Sequence, residues 1–305
     1  MGSSDFGIPT LEGFRATHEV VAVVTRPDMS QGRGLKSQPT PIKVMAQSIG
    51  VPVLEPADLS DPQFVEQLKD FRADLFFVVA FRILPKKVFT IPSKGTINLH
   101  ASLLPDYRGP APINWTIING DSVTGLTTFY ISESVDEGDI IANIPVLIGP
   151  EETAGELAER MKVIGADLAL GTITMIGRGS MLRWKQPDFS GRPAPKLVKE
   201  DGRIDWTQSA QIIHNHVRGT NPAPGAYTEC SRGILKIHRT AVVDAESSGK
   251  AGNVVAASPR DGVVVSCGMG KLKLLEVQPE GKNIMDGASF VRGYRLREGI
   301  LLREQ

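Results

Sequence analysis

Short apolar runs alternate with helical stretches through the first half of the chain, and that alternation limits the fold more than any other feature. Residues 20–25 form a run dominated by β-branched side chains, as expected of a strand covered on both faces. A helical stretch follows that opens on Pro41 and closes on Gly50, the usual signals of a helix's two ends. Residues 51–54 then read as a strand, 61–71 as a helix and 74–80, rich in Phe and Val, as a strand again. Further on, the pattern predicts a helix over 112–119, strands over 125–131 and 140–148, and a long helix from Glu152 to about Arg178. In that last helix Leu157, Met161, Ile164 and Leu168 keep a helical period and belong to the core. Strands and helices in alternation with short connections imply an α/β fold, a Rossmann-like, parallel-rich sheet with helices on both faces. Ligands of such sheets bind beyond the carboxyl ends of the strands.

One strand ends in chemistry. In the stretch from Gly95 to Pro105, Thr96, Asn98 and His100 alternate with Ile97, Leu99 and Ala101, so the carboxamide and the imidazole share one face. A histidine titrates near neutrality and moves protons, while a carboxamide donates to an oxygen that becomes negative during acyl transfer. Taken alone, Asn-x-His is equally compatible with a strand end whose polar groups merely bond neighbouring loops. The loop that follows, from Ser102 to Pro112, carries three prolines. Downstream, residues 133–139 form an acidic loop around Asp136 that lacks the oxygen-ligand repeat of a calcium site. His214 and His216 are two apart on a predicted helix and point in different directions, so they do not form a metal pair. No metal is expected.

The run Asn98-x-His100-x-Ser102-Leu103-Leu104-Pro105, with Asp136 in Val135-Asp136-Glu137-Gly138-Asp139, resembles the signature of the folate-dependent formyltransferases. The resemblance covers nearly the whole chain. It implies that Asn98, His100 and Asp136 are catalytic, with Asn98 donating to an oxyanion, His100 stabilising it and moving protons, and Asp136 holding His100. It implies that Ser102, Leu103, Leu104 and Pro105 line the site of the formyl donor, 10-formyltetrahydrofolate. The segment Gly32-Arg33-Gly34-Leu35-Lys36 is similar to a loop that reaches the acceptor end of the tRNA in members acting on initiator tRNA, with Arg33 as the matching residue. By composition that loop also reads as a solvated linker. Residues 196–206 resemble a further segment of those members, so Arg33, Lys36 and Lys199 are the expected tRNA contacts, and methionylated initiator tRNA is the expected formyl acceptor. Phe81-Arg82 stands where tyrosine-glycine is commoner, and Ala223 where tryptophan is usual. The resemblance also places a strand ahead of Gly2, so an upstream strand is expected before Met1.

Residues 180–205 hold Pro187, Gly191, Pro193 and Pro195 and mark a boundary. The expected organisation is a catalytic domain over 1–180, a linker over 181–205 and a second domain over 206–305. Five short strands with turn signals after residue 226 predict a small barrel. The resemblance implies that this barrel is OB-like and binds tRNA. Lys+Arg and Asp+Glu both number 34, so whole-chain charge points to no partner. Residues 196–305 hold 16 basic and 12 acidic side chains, a mild surplus that fits phosphate contact. Two cysteines, Cys230 and Cys267, without metal spacing fit a reducing compartment, and no apolar run is long enough to span a bilayer. A cytoplasmic monomer without membrane contact is expected. Two rivals share the motif or the fold: a sugar-nucleotide N-formyltransferase or formyltetrahydrofolate hydrolase with the same three residues, and a non-enzymatic RNA-binding module. The intact Asn98, His100 and Asp136 set speaks against the second.

Overall fold

Proline and capping residues decide where the helices start. In a computed structural model the protein is described over residues 1–31, 36–187, 191–230, 233–246 and 249–302. It opens with a 3-10 turn (Asp5–Gly7) and α1 (Ile8–Thr17), followed by β1 (Val23–Val24), β2 (Met29–Gln31), β3 (Lys36–Gln38), α2 (Pro41–Ser48), β4 (Val53–Leu54) and α3 (Pro62–Asp70). Then come β5 (Phe76–Val79), α4 (Lys86–Phe89), β6 (Thr96–His100), α5 (Pro112–Ile118), β7 (Val123–Tyr130), β8 (Ile140–Leu147) and α6 (Ala154–Gly177). Thr40 caps α2 by accepting from the Lys43 N–H, and Asp61 caps α3 by accepting from the Gln63 N–H, each with a proline at the first helical position.

The chain divides into two units. One comprises Met1–Pro112, Val123–Leu147 and Ala158–Pro195; the other comprises Ile113–Ser122, Ile148–Leu157 and Lys196–Gln305. In the first unit β1 pairs with β4 and β5 with β6 in parallel, while β6–β7 and β7–β8 are antiparallel. Helix α6 covers one face of β6 and β7. A Cβ at Gly165 would stand 2.9 Å from Leu99 Cδ2, so the missing side chain lets helix and sheet approach, and Thr128 and Thr172 join their hydroxyls at 2.9 Å beneath it. Leu99 and Thr128 therefore face α6, which leaves Asn98 and His100 on the opposite face.

Residues 20–22 are not paired, contrary to the six-residue strand expected over 20–25. The backbone of Met1 and Gly2 bridges the neighbouring strands: Gly2 N–H donates to Val24 O, Met1 N to Phe77 O, and Val79 N–H to Met1 O. Beside it a cavity of about 490 Å³, lined among others by Phe14, Val20, Val21, Leu75 and Phe77, separates residues 20–22 from β5. They face open space where a partner backbone would be needed for pairing. At the departure Phe81-Arg82, the arginine donates to Ala57 O and Pro56 O at 3.0 and 2.8 Å and lies over the Phe81 ring.

The second unit adds a 3-10 turn (Lys199–Gly202), α7 (Ala210–Gly219), β9 (Ala226–Cys230), β10 (Gly233–Asp244), β11 (Val254–Ser258), β12 (Gly262–Ser266), β13 (Lys271–Pro279), β14 (Met285–Asp286) and α8 (Gly287–Tyr294). The strands run in the order β11-β12-β13-β10-β9, all antiparallel, with β14 on β13. The tail closes this sheet toward the expected small barrel. Leu302 N–H donates to Gly252 O beside β11, while Leu302 O accepts from the Thr228 hydroxyl of β9. Inside lie Trp206, Ile213, Leu235, Ile237, Val265 and Leu274, each nearly or wholly buried. No helix among the described residues is long and apolar enough to cross a membrane.

Candidate active site

Asn98 and His100 sit on the same face of β6, opposite Phe129 and Thr127 of β7 in the ladder and roughly 6.6 Å apart along the strand. Asn98 is half-buried, and no side-chain hydrogen bond within the described residues occupies its carboxamide. His100 is buried, with its ring edge-on to Phe129. Its Nε2 lies 2.9 Å from the backbone oxygen of Tyr107. A carbonyl only accepts, so Nε2 carries the hydrogen and the neutral ring keeps its lone pair on Nδ1. That nitrogen faces Asp136 Oδ2 at 3.8 Å. An imidazole so oriented takes a proton on Nδ1 and meets a carboxylate as it becomes positive.

Asp136 is held from several sides. Its backbone is in the left-handed region, φ 55°, which costs a residue with a side chain of order 1 kcal/mol or more and persists only where the surroundings enforce it. Its Oδ2 accepts from the Gly109 N–H at 2.9 Å. Gly109 has φ 123°, and a Cβ there would stand 2.5 Å from Ala194 O, so glycine is required for this approach. Gln186 donates from Nε2 to Asp136 O and Gly138 O, both at 2.9 Å, and accepts from Arg108 Nη2 at 2.7 Å. Arg108 reaches Glu137 with its other terminal nitrogen at 3.1 Å. Reading the sequence did not single out Gln186, Arg108 or Gly109 as site residues. Arg108 and Gly109 stand in the loop after His100, where the motif drew attention to the chain, whereas Gln186 lies in the proline-rich stretch and carries no local signal.

The other expected site residues are placed as follows. Ser102 is fully buried and its hydroxyl donates to Asp106 O. Leu104 is buried against Phe129 and Ile140, and its N–H donates to the Thr127 hydroxyl, which itself donates to Ser102 O. Ser102 and Leu104 therefore build the loop, while Leu103 and Pro105 stay partly exposed along it. Lys36 pairs through its backbone with Gln31 in the β2–β3 ladder, and Lys199 is exposed at the start of the 3-10 turn of the second unit. Arg33 lies outside the described residues. Among the described residues no group of three or more His, Cys, Asp or Glu side chains could hold a metal ion.

Known proteins share both units. Residues 10–171 match the formyl transferase family, and residues 196–295 match the family named formyl transferase, C-terminal domain. The chain belongs to the formyl transferase family. Within that family it is 44% identical to a methionyl-tRNA formyltransferase of Geobacter metallireducens over 99% of this chain and 97% of that protein. It is 42% identical to the methionyl-tRNA formyltransferase of Moorella thermoacetica over 99% and 97% of the two chains. Solved structures share the fold at lower identity. A sugar 3N-formyl transferase, WlaRD, determined in the presence of dTDP and 5-N-formyl-THF, aligns with TM-score 0.69 at 18% identity over 92% of this chain and 97% of its own. An N-formyltransferase of Helicobacter canadensis aligns with TM-score 0.65 at 19% identity over 90% and 97%.

Proposed function

We propose that this formyl transferase moves the formyl group of 10-formyltetrahydrofolate to the α-amino group of methionine carried on initiator tRNA. The observation that carries this reading is the full-length match to methionyl-tRNA formyltransferases, 44% identical over 99% of the chain. In the reaction the amine nitrogen bonds to the formyl carbon and the bond from that carbon to the folate nitrogen breaks. One proton leaves the amine and one reaches the folate nitrogen. Asn98 donates its carboxamide N–H to the formyl oxygen as negative charge gathers there. His100 Nδ1 accepts the amine's proton, and Asp136 Oδ2, 3.8 Å away, stabilises the resulting imidazolium. Leu103 and Pro105, the partly exposed members of the loop, offer an apolar wall for the pterin portion of the donor. A Lys or Arg pairs with tRNA phosphates, which is the role of Arg33, Lys36 and Lys199. A cytoplasmic location goes with an acceptor used in translation.

The direct test incubates the protein with 10-formyltetrahydrofolate and methionylated initiator tRNA and identifies the amino acid released from the tRNA by mass spectrometry. Formylmethionine is expected. Free tetrahydrofolate and formate with unmodified methionine would assign the chain to hydrolysis instead, and no consumption of either substrate would remove the activity.

A further inference from the structure

We infer that Gln186 is a positioning residue for the reaction: it fixes the turn at residues 136–138 so that the Asp136 carboxylate stays within reach of His100. The inference rests on the reading of His100 and Asp136 as an acting pair. Gln186 is 4% exposed and lies fifty residues beyond the aspartate, yet both ends of its amide serve that turn. Its nitrogen donates to Asp136 O and Gly138 O, two carbonyls flanking Glu137, and its oxygen is held by Arg108 Nη2. Arg108 in turn grips Glu137, the residue between those carbonyls. The turn has little freedom to reach this shape otherwise, because a Cβ on Gly138 would lie 1.6 Å from Tyr130 O, and Asp136 itself sits at φ 55°.

The contacts separate two tasks. Gly109 N–H holds the carboxylate, and Gln186 holds the backbone that carries it. Removing the amide leaves two inward carbonyls without their donor and releases the left-handed residue toward ordinary conformations. The carboxylate then keeps the Gly109 N–H while the backbone beneath it is held only through Arg108 and Glu137 among the contacts named above. A displacement of an ångström at a reacting group costs up to about 10²-fold in rate, so the effect belongs on turnover and not on substrate affinity.

The test is a double-mutant cycle on Gln186→Leu and Asp136→Asn, with Gln186→Glu as a second replacement should the leucine variant fail to fold. Glutamate keeps the volume and the contact to Arg108 but cannot donate to the two carbonyls. Single-turnover rates of formyl transfer are measured across pH 6 to 9, with donor affinity by fluorescence titration and thermal melting alongside. The expected result is a fall of about 10²-fold in rate for Gln186→Leu or Gln186→Glu with donor affinity within about twofold. The pH–rate profile changes in the same sense as for Asp136→Asn, and replacing Gln186 in the Asp136→Asn background costs nothing further. Fully additive losses, or a lowered melting temperature with unchanged rate and pH profile, would make Gln186 a structural residue only and overturn the inference. Near-normal turnover of Asp136→Asn would sink the His100–Asp136 reading and the inference with it, whereas an impaired Asp136→Asn beside a normal Gln186→Glu sinks the inference alone.

Discussion

His100 Nδ1 faces Asp136 Oδ2 across 3.8 Å, while the same ring's Nε2 is committed to the Tyr107 carbonyl. The backbone bond selects which nitrogen is free, and the carboxylate waits opposite that nitrogen. In the proposed reaction, proton acceptance and charge stabilisation fall on one side of a single ring. Asn98 shares the strand face, and its carboxamide has no hydrogen-bond partner among the described residues.

Replacing Asn98 by Ala is expected to reduce the rate of formyl transfer by about 10²-fold or more, the usual cost of removing an oxyanion donor. Because the side chain is half-buried and has no hydrogen-bond partner among the described residues, the melting temperature should stay within a few degrees of wild type. Rate and melting curve on the same preparation check both. A variant with near-normal turnover removes Asn98 from the chemistry.

Burial holds His216 below the usual histidine value, and its Nε2 is enclosed without a hydrogen-bond partner among the described residues. The unfolded chain therefore takes this proton at a higher pH than the native one, around 6.5. Its contribution to stability is fully present above that value and is lost as pH falls from about 6.5 toward the lower native value. Urea midpoints at pH 7.5 and 5.5 for wild type and His216→Gln are expected to show a smaller acid loss in the variant. Identical losses would place the effect elsewhere.

The strands of the small barrel were legible from their turn signals, and the helix periods because burial repeats along an element. Leu157 and Met161 are wholly buried as their spacing predicts, and Val263 and Val265 share the inward face of β12. Asn98 and His100 were legible for the same reason, two positions apart on one strand. Asp136 was found only through the family motif, since it reaches His100 across a loop that no period describes. Gln186 was invisible: it stands among prolines where composition suggests a linker, and its importance comes from three long-range hydrogen bonds. The run over 20–25 misled for the opposite reason. Propensity marked a strand, but a strand also needs a neighbour, and residues 20–22 face a cavity.

Cys267 is wholly buried in the core of the second unit, and burial pushes its thiol up to about 12. The thiolate is the reactive form, so at pH 8 native Cys267 should resist alkylation by iodoacetamide for hours and react promptly in denaturant. Peptide mass spectrometry separates it from Cys230. Rapid native labelling of Cys267 would mean that the core opens frequently.

Arg33, flanked by Gly32 and Gly34, is expected to contact the acceptor end of the tRNA by a bidentate guanidinium–phosphate pair. Arg33→Ala should raise the KM for methionyl-tRNA by about tenfold, near the loss of one charged hydrogen-bonded contact, and leave donor affinity unchanged. Arg33→Lys keeps charge but loses the fork and should rescue only in part. Steady-state rates with varied tRNA, beside donor titrations, make the comparison. Equal loss toward both substrates would mean that the segment serves the fold.

The most direct measurement is the single-turnover rate of formyl transfer from 10-formyltetrahydrofolate to methionylated initiator tRNA by wild type and by His100→Gln, at saturating protein. Glutamine can still donate to the Tyr107 carbonyl but cannot accept and carry a proton at the position facing Asp136. Formylmethionyl-tRNA is expected from wild type, with a rate about 10²- to 10⁴-fold lower in the variant. Equal rates for the two proteins, or no formylmethionine from wild type, would contradict the assignment.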